Sequence, residues 1–182
     1  MTSVHRKPDR RSPLVIDILE LGRGAGSMRE VSRTVPAPAD LGIEVIGVPE
    51  GSDIELDLRL ESVVEGVLVS GTATVQLHGD CARCLREIED TETYRLQELF
   101  FYPGHEVEED DRAIVDESID LEGVLRDAVV LELPFTPLCE EDCLGLCPEC
   151  GFNLNDDPAH GHEPVIDARW AALTELDVEP NN

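Results

Sequence analysis

Residues 53–61 read DIELDLRLE, with Ile54, Leu56, Leu58 and Leu60 alternating against Glu55, Asp57, Arg59 and Glu61. Side chains switch faces at every step of an extended chain, so this period of two puts aliphatics on one side and charges on the other. A helix would scatter both sets around its surface. The segment is therefore predicted to be a half-buried strand, and such a strand needs a core beneath it and neighbours at its edges. VEG (64–66) turns the chain, and VLVSGTATVQL (67–77) supplies a β-branched partner with Val67, Val69, Ala73, Val75 and Leu77 in one phase. GDCARCLRE (79–87) reads as a tight bend, and IEDTETYRLQELFFYP (88–103) as a third strand. The result is an antiparallel meander whose second connection carries a cysteine pair.

The flanking segments are shorter. LVIDILEL (14–21) is predicted as a strand stopped by GRGAGS, and residues 29–53 hold one or two short strands between Pro and Gly. Residues 104–122 contain nine acids and one arginine, so the first half of that stretch is expected to be a mobile acidic loop. A helix follows over 120–133. Asp120 is placed to cap it, Ile119 and Val124 to staple it, and Leu121, Val124, Leu125, Ala128 and Val129 recur at helical spacing until Pro134 ends it. DARWAALTEL (167–176) reads as a short terminal helix presenting Trp170 and Leu173. The expected fold is β-rich α+β, a meander covered by one helix with a zinc-stapled C-terminal segment. Residues 1–13 form a basic disordered arm. Residues 14–178 form one domain that includes the acidic loop 104–118 and the cysteine-rich segment 139–155.

Charge narrows the partners. The net formal charge is −26, but residues 1–33 hold seven basic and four acidic residues, net +3, leaving −29 for the rest. Nucleic-acid affinity rests on Lys and Arg neutralising phosphates, so direct RNA binding is expected only from the N-terminal arm. A basic protein suits the body better. Lys7 is the sole lysine, and a general compositional bias would produce much of the same charge. The N-terminal apolar stretch is broken by Asp17 and Glu20, and no run reaches the length of a membrane span. A cytoplasmic location follows as the expectation, and it favours metal or catalytic roles over disulfides for the cysteines.

There are six cysteines: Cys81 and Cys84 in CARC, then Cys139, Cys143, Cys147 and Cys150 in CEEDCLGLCPEC. A C-x-x-C turn lets two thiolates converge on one ion, and a structural zinc takes four such ligands. Six thiols exceed four, so about one zinc is expected with three possible ligand sets. Cys81, Cys84, Cys147 and Cys150 would tie both C-x-x-C units together. Cys139, Cys143, Cys147 and Cys150 would close locally, and Cys81, Cys84, Cys139 and Cys143 is the third set. A surplus pair would leave room for a thiol redox protein or metal carrier. His160-Gly-His162 could complete a metal site, although an exposed polar loop is the plainer reading; His78 reads as a strand-end residue, and His5 and His105 fall in segments expected to lack order. No G-x-S-x-G, P-loop or nucleophile–base pairing is present, so no enzymatic activity is expected.

LCEEDCLGLCPECGFNLN (138–155), with CARCL (81–85) and IDLEGVLRDAVVLELPFTPLC (119–139), resembles the large ribosomal RNA subunit accumulation (YceD-like) protein family. DILELGRGAGSMREV (17–31) and DARWAALTEL also look like that family's ends, so the resemblance spans nearly the whole chain. It implies a non-enzymatic bacterial factor needed for synthesis, processing or stability of large-subunit ribosomal RNA. Family members are often encoded beside a small basic ribosomal protein, which points to such a protein or a pre-ribosomal particle as partner. The resemblance carries over no catalytic residues; what transfers is the cysteine set Cys81, Cys84, Cys139, Cys143, Cys147 and Cys150.

Overall fold

The computed structural model of the chain describes residues 9–22, 24–104 and 112–162. Its elements are β1 (Val15–Asp17), a 3-10 turn (Leu19–Leu21), β2 (Met28–Pro36), β3 (Leu41–Gly42), β4 (Ile46–Val48), β5 (Asp53–Ser62), β6 (Gly66–Asp80), β7 (Glu87–Phe101), β8 (Arg112–Ala113), β9 (Ser118–Asp120) and α1 (Glu122–Glu132). The predicted meander is β5–β6–β7, antiparallel throughout. β6 is the spine. β7 runs along one edge of it for the full length, while β5 and then β4 pair successive stretches of the other edge. β2 pairs the outer edge of β5, β3 pairs β4, and β8 adds a short parallel pairing to β7.

The alternation in β5 behaves as its period demands, with Ile54, Leu56, Leu58 and Leu60 buried and Glu55, Asp57 and Arg59 exposed. Val67, Val69, Ala73, Val75 and Leu77 of β6 turn to the same core. Gly71 lies in that phase too, opposite Leu58, and a Cβ there would fall 2.1 Å from the Asp57 carbonyl oxygen. Only glycine lets the two backbones approach so closely at the middle of the sheet.

α1 covers this face through Val124, Leu125 and Val129, packing on β7 and β3. It starts two residues later than the sequence suggests, with Leu121 at the N-cap, yet the Asp120 carboxylate still accepts the Glu122 N–H at 3.0 Å. Leu133 is extended ahead of Pro134, which ends the helix as expected. β1 and β9 pair to form a small second sheet whose Ile16 and Ile119 join the same core.

Three segments depart from the sequence-based expectation. Residues 29–53 contain a nine-residue strand, β2, as well as β3 and β4. β2 is an edge strand with mostly polar residues, so its apolar alternation is faint. Residues 9–13 of the arm turn back on the domain, and the Arg10 guanidinium donates to the Asp116 carbonyl. Within the acidic stretch, Arg112–Ala113 and Ser118–Asp120 are strands. The acidic run 105–111, the arm's residues 1–8 with His5, and residues 167–176, where a terminal helix is expected, lie outside the described residues. No described helix is long and apolar enough to cross a membrane.

β6 and β7 are each 15 residues long, so their ribbon extends roughly 50 Å. The first seven residues of β7 are exposed apart from a half-buried Ile88. On the β6 side the distal ribbon keeps Val75 and Leu77 buried, and β4 pairs its edge at His78 and Gly79. The ribbon's distal turn is residues 81–86, and the chain after α1 folds back over that turn.

Candidate metal centres

Two turns in the molecule share one backbone frame. In CARCLR, the Leu85 N–H donates to the Cys81 carbonyl at 2.9 Å and the Cys81 N–H to the Arg86 carbonyl at 2.8 Å. In CPECGF, the Gly151 N–H donates to the Cys147 carbonyl at 2.8 Å and the Cys147 N–H to the Phe152 carbonyl at 2.7 Å. Each frame needs a left-handed residue after its second cysteine, Leu85 at φ 58° and Gly151 at φ 74°. The glycine read from the sequence as permitting a tight turn serves that purpose at Gly151.

The first turn meets Cys139 and Cys143, and the four sulfurs of Cys81, Cys84, Cys139 and Cys143 lie within 4.8 Å of one another. Cys81 Sγ is 3.7 Å from Cys143 Sγ, and Cys84 Sγ is 3.6 Å from Cys139 Sγ. Zinc–sulfur bonds of about 2.3 Å in a tetrahedron require sulfur–sulfur edges of about 3.8 Å, so this donor set fits a structural zinc. Cys81, Cys84 and Cys143 are buried, with Ile88, Leu138 and Leu146 packed around them.

Backbone and side chains fix the approach. The Ala82 N–H donates to the Pro137 carbonyl at 2.8 Å, and Arg83 Nη1 donates to the Cys143 carbonyl at 2.8 Å. Asn155 links the segment after the second turn to Cys143 and Leu144. Its Oδ1 accepts the Leu144 N–H at 2.7 Å, while its Nδ2 lies 3.3 Å from Cys143 Sγ and 2.9 Å from Asn153 Oδ1. Sequence reasoning missed Arg83 and Asn155; the polar NLN that follows the second turn was the available signal.

The electrostatics suit a cation. Burial pushes the Cys81 thiol up, but the backbone N–H groups of Cys84, Cys139 and Arg83 outweigh it and hold Cys81 down at about 6. Cys139 is pushed up to about 12, by burial first and then by its neighbours Cys84, Cys143 and Cys81. Burial also raises Cys84. One thiolate in such a cluster opposes a second, whereas a divalent ion favours all four.

Cys147 and Cys150 do not join that cluster. They meet His160 and His162 instead, with the four ligand atoms again within 4.8 Å of one another. Backbone N–H groups of Cys150 and Glu149 hold the Cys147 thiol down at about 6. Of the three ligand sets compatible with the sequence, only Cys81, Cys84, Cys139 and Cys143 is gathered around one point. The sets containing Cys147 and Cys150 beside the other cysteines are not, because Cys147 and Cys150 gather with His160 and His162 instead. Nor is the histidine pair a plain polar loop, since both rings turn toward Cys150. The pair read as surplus thus has partners of its own, and all six cysteines are free thiols. His78 faces Glu89 across β6 and β7, its Nε2 3.5 Å from the carboxylate, in an exposed group with Glu87.

An antiparallel sheet with a C-x-x-C turn at the end of its β6–β7 ribbon and a second C-x-x-C turn in the segment after α1, each gathered with two further soft or borderline donors, defines a class of protein built around metal-ready knuckles. Within that class the chain belongs to the YceD family: the profile described as "Large ribosomal RNA subunit accumulation protein YceD" matches residues 69–177. Among curated proteins, "Uncharacterized protein Rv2926c" of Mycobacterium tuberculosis is 49% identical over 170 residues, which make up 91% of this chain and 82% of that protein. YlbN of Bacillus subtilis is 30% identical over 123 residues, 66% of this chain and 69% of that protein. The "Large ribosomal RNA subunit accumulation protein YCED homolog 1, chloroplastic" of Arabidopsis thaliana is 46% identical over 37 residues, 20% of this chain and 12% of that protein. No solved structure matches the chain.

Proposed function

We propose that this protein is a non-enzymatic cytoplasmic factor that supports synthesis, processing or stability of large-subunit ribosomal RNA, acting through a basic protein partner. The observation that carries the reading is the family match itself, which begins in β6 and includes β7, α1 and all six cysteines. In this reading the four-cysteine cluster holds a structural zinc that fastens residues 137–155 to the end of the β6–β7 ribbon.

Charge favours a protein over naked RNA as the direct partner. Glu87, Glu89, Asp90 and Glu92 are exposed along the distal part of β7. Several basic groups of the N-terminal region are engaged by the domain: Arg10, Arg29 and Arg33 all donate to backbone carbonyls. An acidic surface repels phosphates but steers a Lys/Arg-rich ribosomal protein at long range.

Depleting the protein should lower large-subunit relative to small-subunit ribosomal RNA, and an unchanged ratio would overturn the reading. For the partner, association rates with purified basic ribosomal proteins should fall steeply with salt, as the Debye length shortens to about 8 Å at physiological ionic strength. Replacing Glu106, Glu108, Glu109, Asp110 and Asp111 by Ser or Asn should slow association more than it speeds dissociation. Tighter binding to bare ribosomal RNA than to any protein would refute the partner assignment and leave the depletion result untouched.

A further inference from the structure

We infer that Cys147, Cys150, His160 and His162 form a second metal site, separate from the four-cysteine cluster, which takes a borderline divalent ion such as zinc in an S2N2 tetrahedron. The first support is the shape of the cluster. Nε2 of His160 and Nε2 of His162 each lie 3.3 Å from Cys150 Sγ, and they are 3.1 Å from each other. Three polar atoms in a closed triangle make poor hydrogen bonds, because each donor needs a nearly linear path to its acceptor. The same triangle is one face of a coordination tetrahedron. With zinc–nitrogen bonds of about 2.05 Å and zinc–sulfur bonds of about 2.3 Å, its edges come to about 3.6 Å for N–S and about 3.3 Å for N–N.

The second support is how the rings are held. Both present Nε2, the same atom, to the sulfur. Glu149 places a carboxylate oxygen 3.7 Å from Nδ1 of His162, the outer partner that metal-bound imidazoles usually have. Phe152 stacks on His160 with ring centroids 4.5 Å apart, which fixes that ring's plane. The loop is shaped to deliver it: the Ala159 N–H bonds the Asp157 carboxylate, and the His160 N–H bonds the Asp157 carbonyl. An imidazole pair free in a polar loop would need none of these.

The third support is independence. The two groups share no ligand. The first joins residues 81–84 to 139–143, whereas the second lies wholly within 147–162. They also differ in setting, since Cys150 and His162 are exposed while three of the four other cysteines are buried. Two ions per chain are therefore expected, where six cysteines alone suggested about one. Imidazole suits zinc and its neighbours in the first transition row, and two thiolates with two imidazoles in a tetrahedron select zinc among them.

Titration of the metal-freed full chain with cobalt(II) alone provides the test, since thiolate-to-cobalt bands report the number of sulfurs. Wild type should take up two equivalents, and the protein loaded with zinc should carry two ions by native mass spectrometry. His160→Ala combined with His162→Ala should retain one ion with the four-sulfur spectrum, which also proves that this variant is folded. His160→Cys with His162→Cys should return the second ion with a stronger thiolate band. A single equivalent in wild type, two in the alanine variant, or none in it would each overturn the inference.

Discussion

The turn at Cys81–Arg86 and the turn at Cys147–Phe152 have the same hydrogen-bond frame, and they close different chemistry around it. The first sits at the end of a long ribbon, receives two more thiols from a distant segment and buries three of its four cysteines. The second is largely exposed and completes its donor set from the next few residues. The comparison teaches that the knuckle is a local solution for converging two thiols, whereas burial and the remaining ligands are set by what the fold brings near. Backbone N–H groups lower one thiol in each turn to about 6, so that part of the electrostatics travels with the frame.

The largest expected difference lies in what each cluster supports. Cys81→Ser should remove the inner ion and release residues 137–155 from the ribbon. Structural zinc is worth about 10–16 kcal/mol of apparent binding energy in zinc-finger peptides, comparable with or above the ~5–15 kcal/mol stability of a whole domain. Hydrogen exchange should therefore rise along the distal halves of β6 and β7 as well as at 137–155, while β5 and α1 stay protected. Equal protection throughout would mean that the ribbon does not depend on the cluster.

Cys147→Ser should have a smaller and more local effect. The inner ion should remain, and exchange should rise only within 147–162. Loss of both ions would show that the two turns form one cooperative unit and break the comparison. A third expectation concerns Asn155, which holds Leu144 and approaches Cys143 from the outer segment. Asn155→Ala should weaken metal at the inner cluster by about 10–100-fold, as loss of outer-shell partners does, measured by competition with a chelator. No change would mean that the amide only shapes the loop.

The smallest effects belong to the left-handed residue of each frame. Gly151→Leu should cost about 1–2 kcal/mol of local stability from backbone conformation alone, since nothing lies within 4 Å of a Cβ there. Leu85→Gly should relieve that same strain, and thermal denaturation should show a change within about 1 kcal/mol of zero, because glycine also loosens the unfolded chain. A large loss at Leu85 would mean that its exposed side chain has a contact of its own.

Much of the fold is legible from local pattern. β5, β6 and α1 follow from periodicities of two and 3.6, which depend only on the chain's geometry and on burial of one face. β2 is hard to see in the sequence because Arg29 and Arg33 share its inward phase with Val31 and Val35, where apolar residues would mark the strand. The cysteines are recognisable as ligands from C-x-x-C spacing, but their partition is not, because it depends on where the chain after α1 meets the end of the ribbon. His160 and His162 lacked a signal of the usual kind. Their H-x-H spacing, ten residues beyond Cys150 among Asp, Pro and Gly, has the composition of any exposed loop. Only once Cys139 and Cys143 are committed elsewhere does the second turn visibly need two further donors.

The spans of the two clusters also set what each requires in order to close. The inner one pairs sulfurs 55 and 62 residues apart in the chain, while the outer one closes across 10 and 12. Loop-closure entropy grows as the logarithm of length, so the longer closure costs about 1.5 kcal/mol more. The greater difference is one of prerequisites. As the chain leaves the ribosome, the outer knuckle can close on itself as soon as His162 emerges, with no sheet formed. The inner sulfurs meet in their native arrangement where the paired ribbon ends and the chain after α1 turns back toward it. Closure of the inner cluster is thus tied to long-range pairing, even though all four of its cysteines leave the ribosome before His162 does.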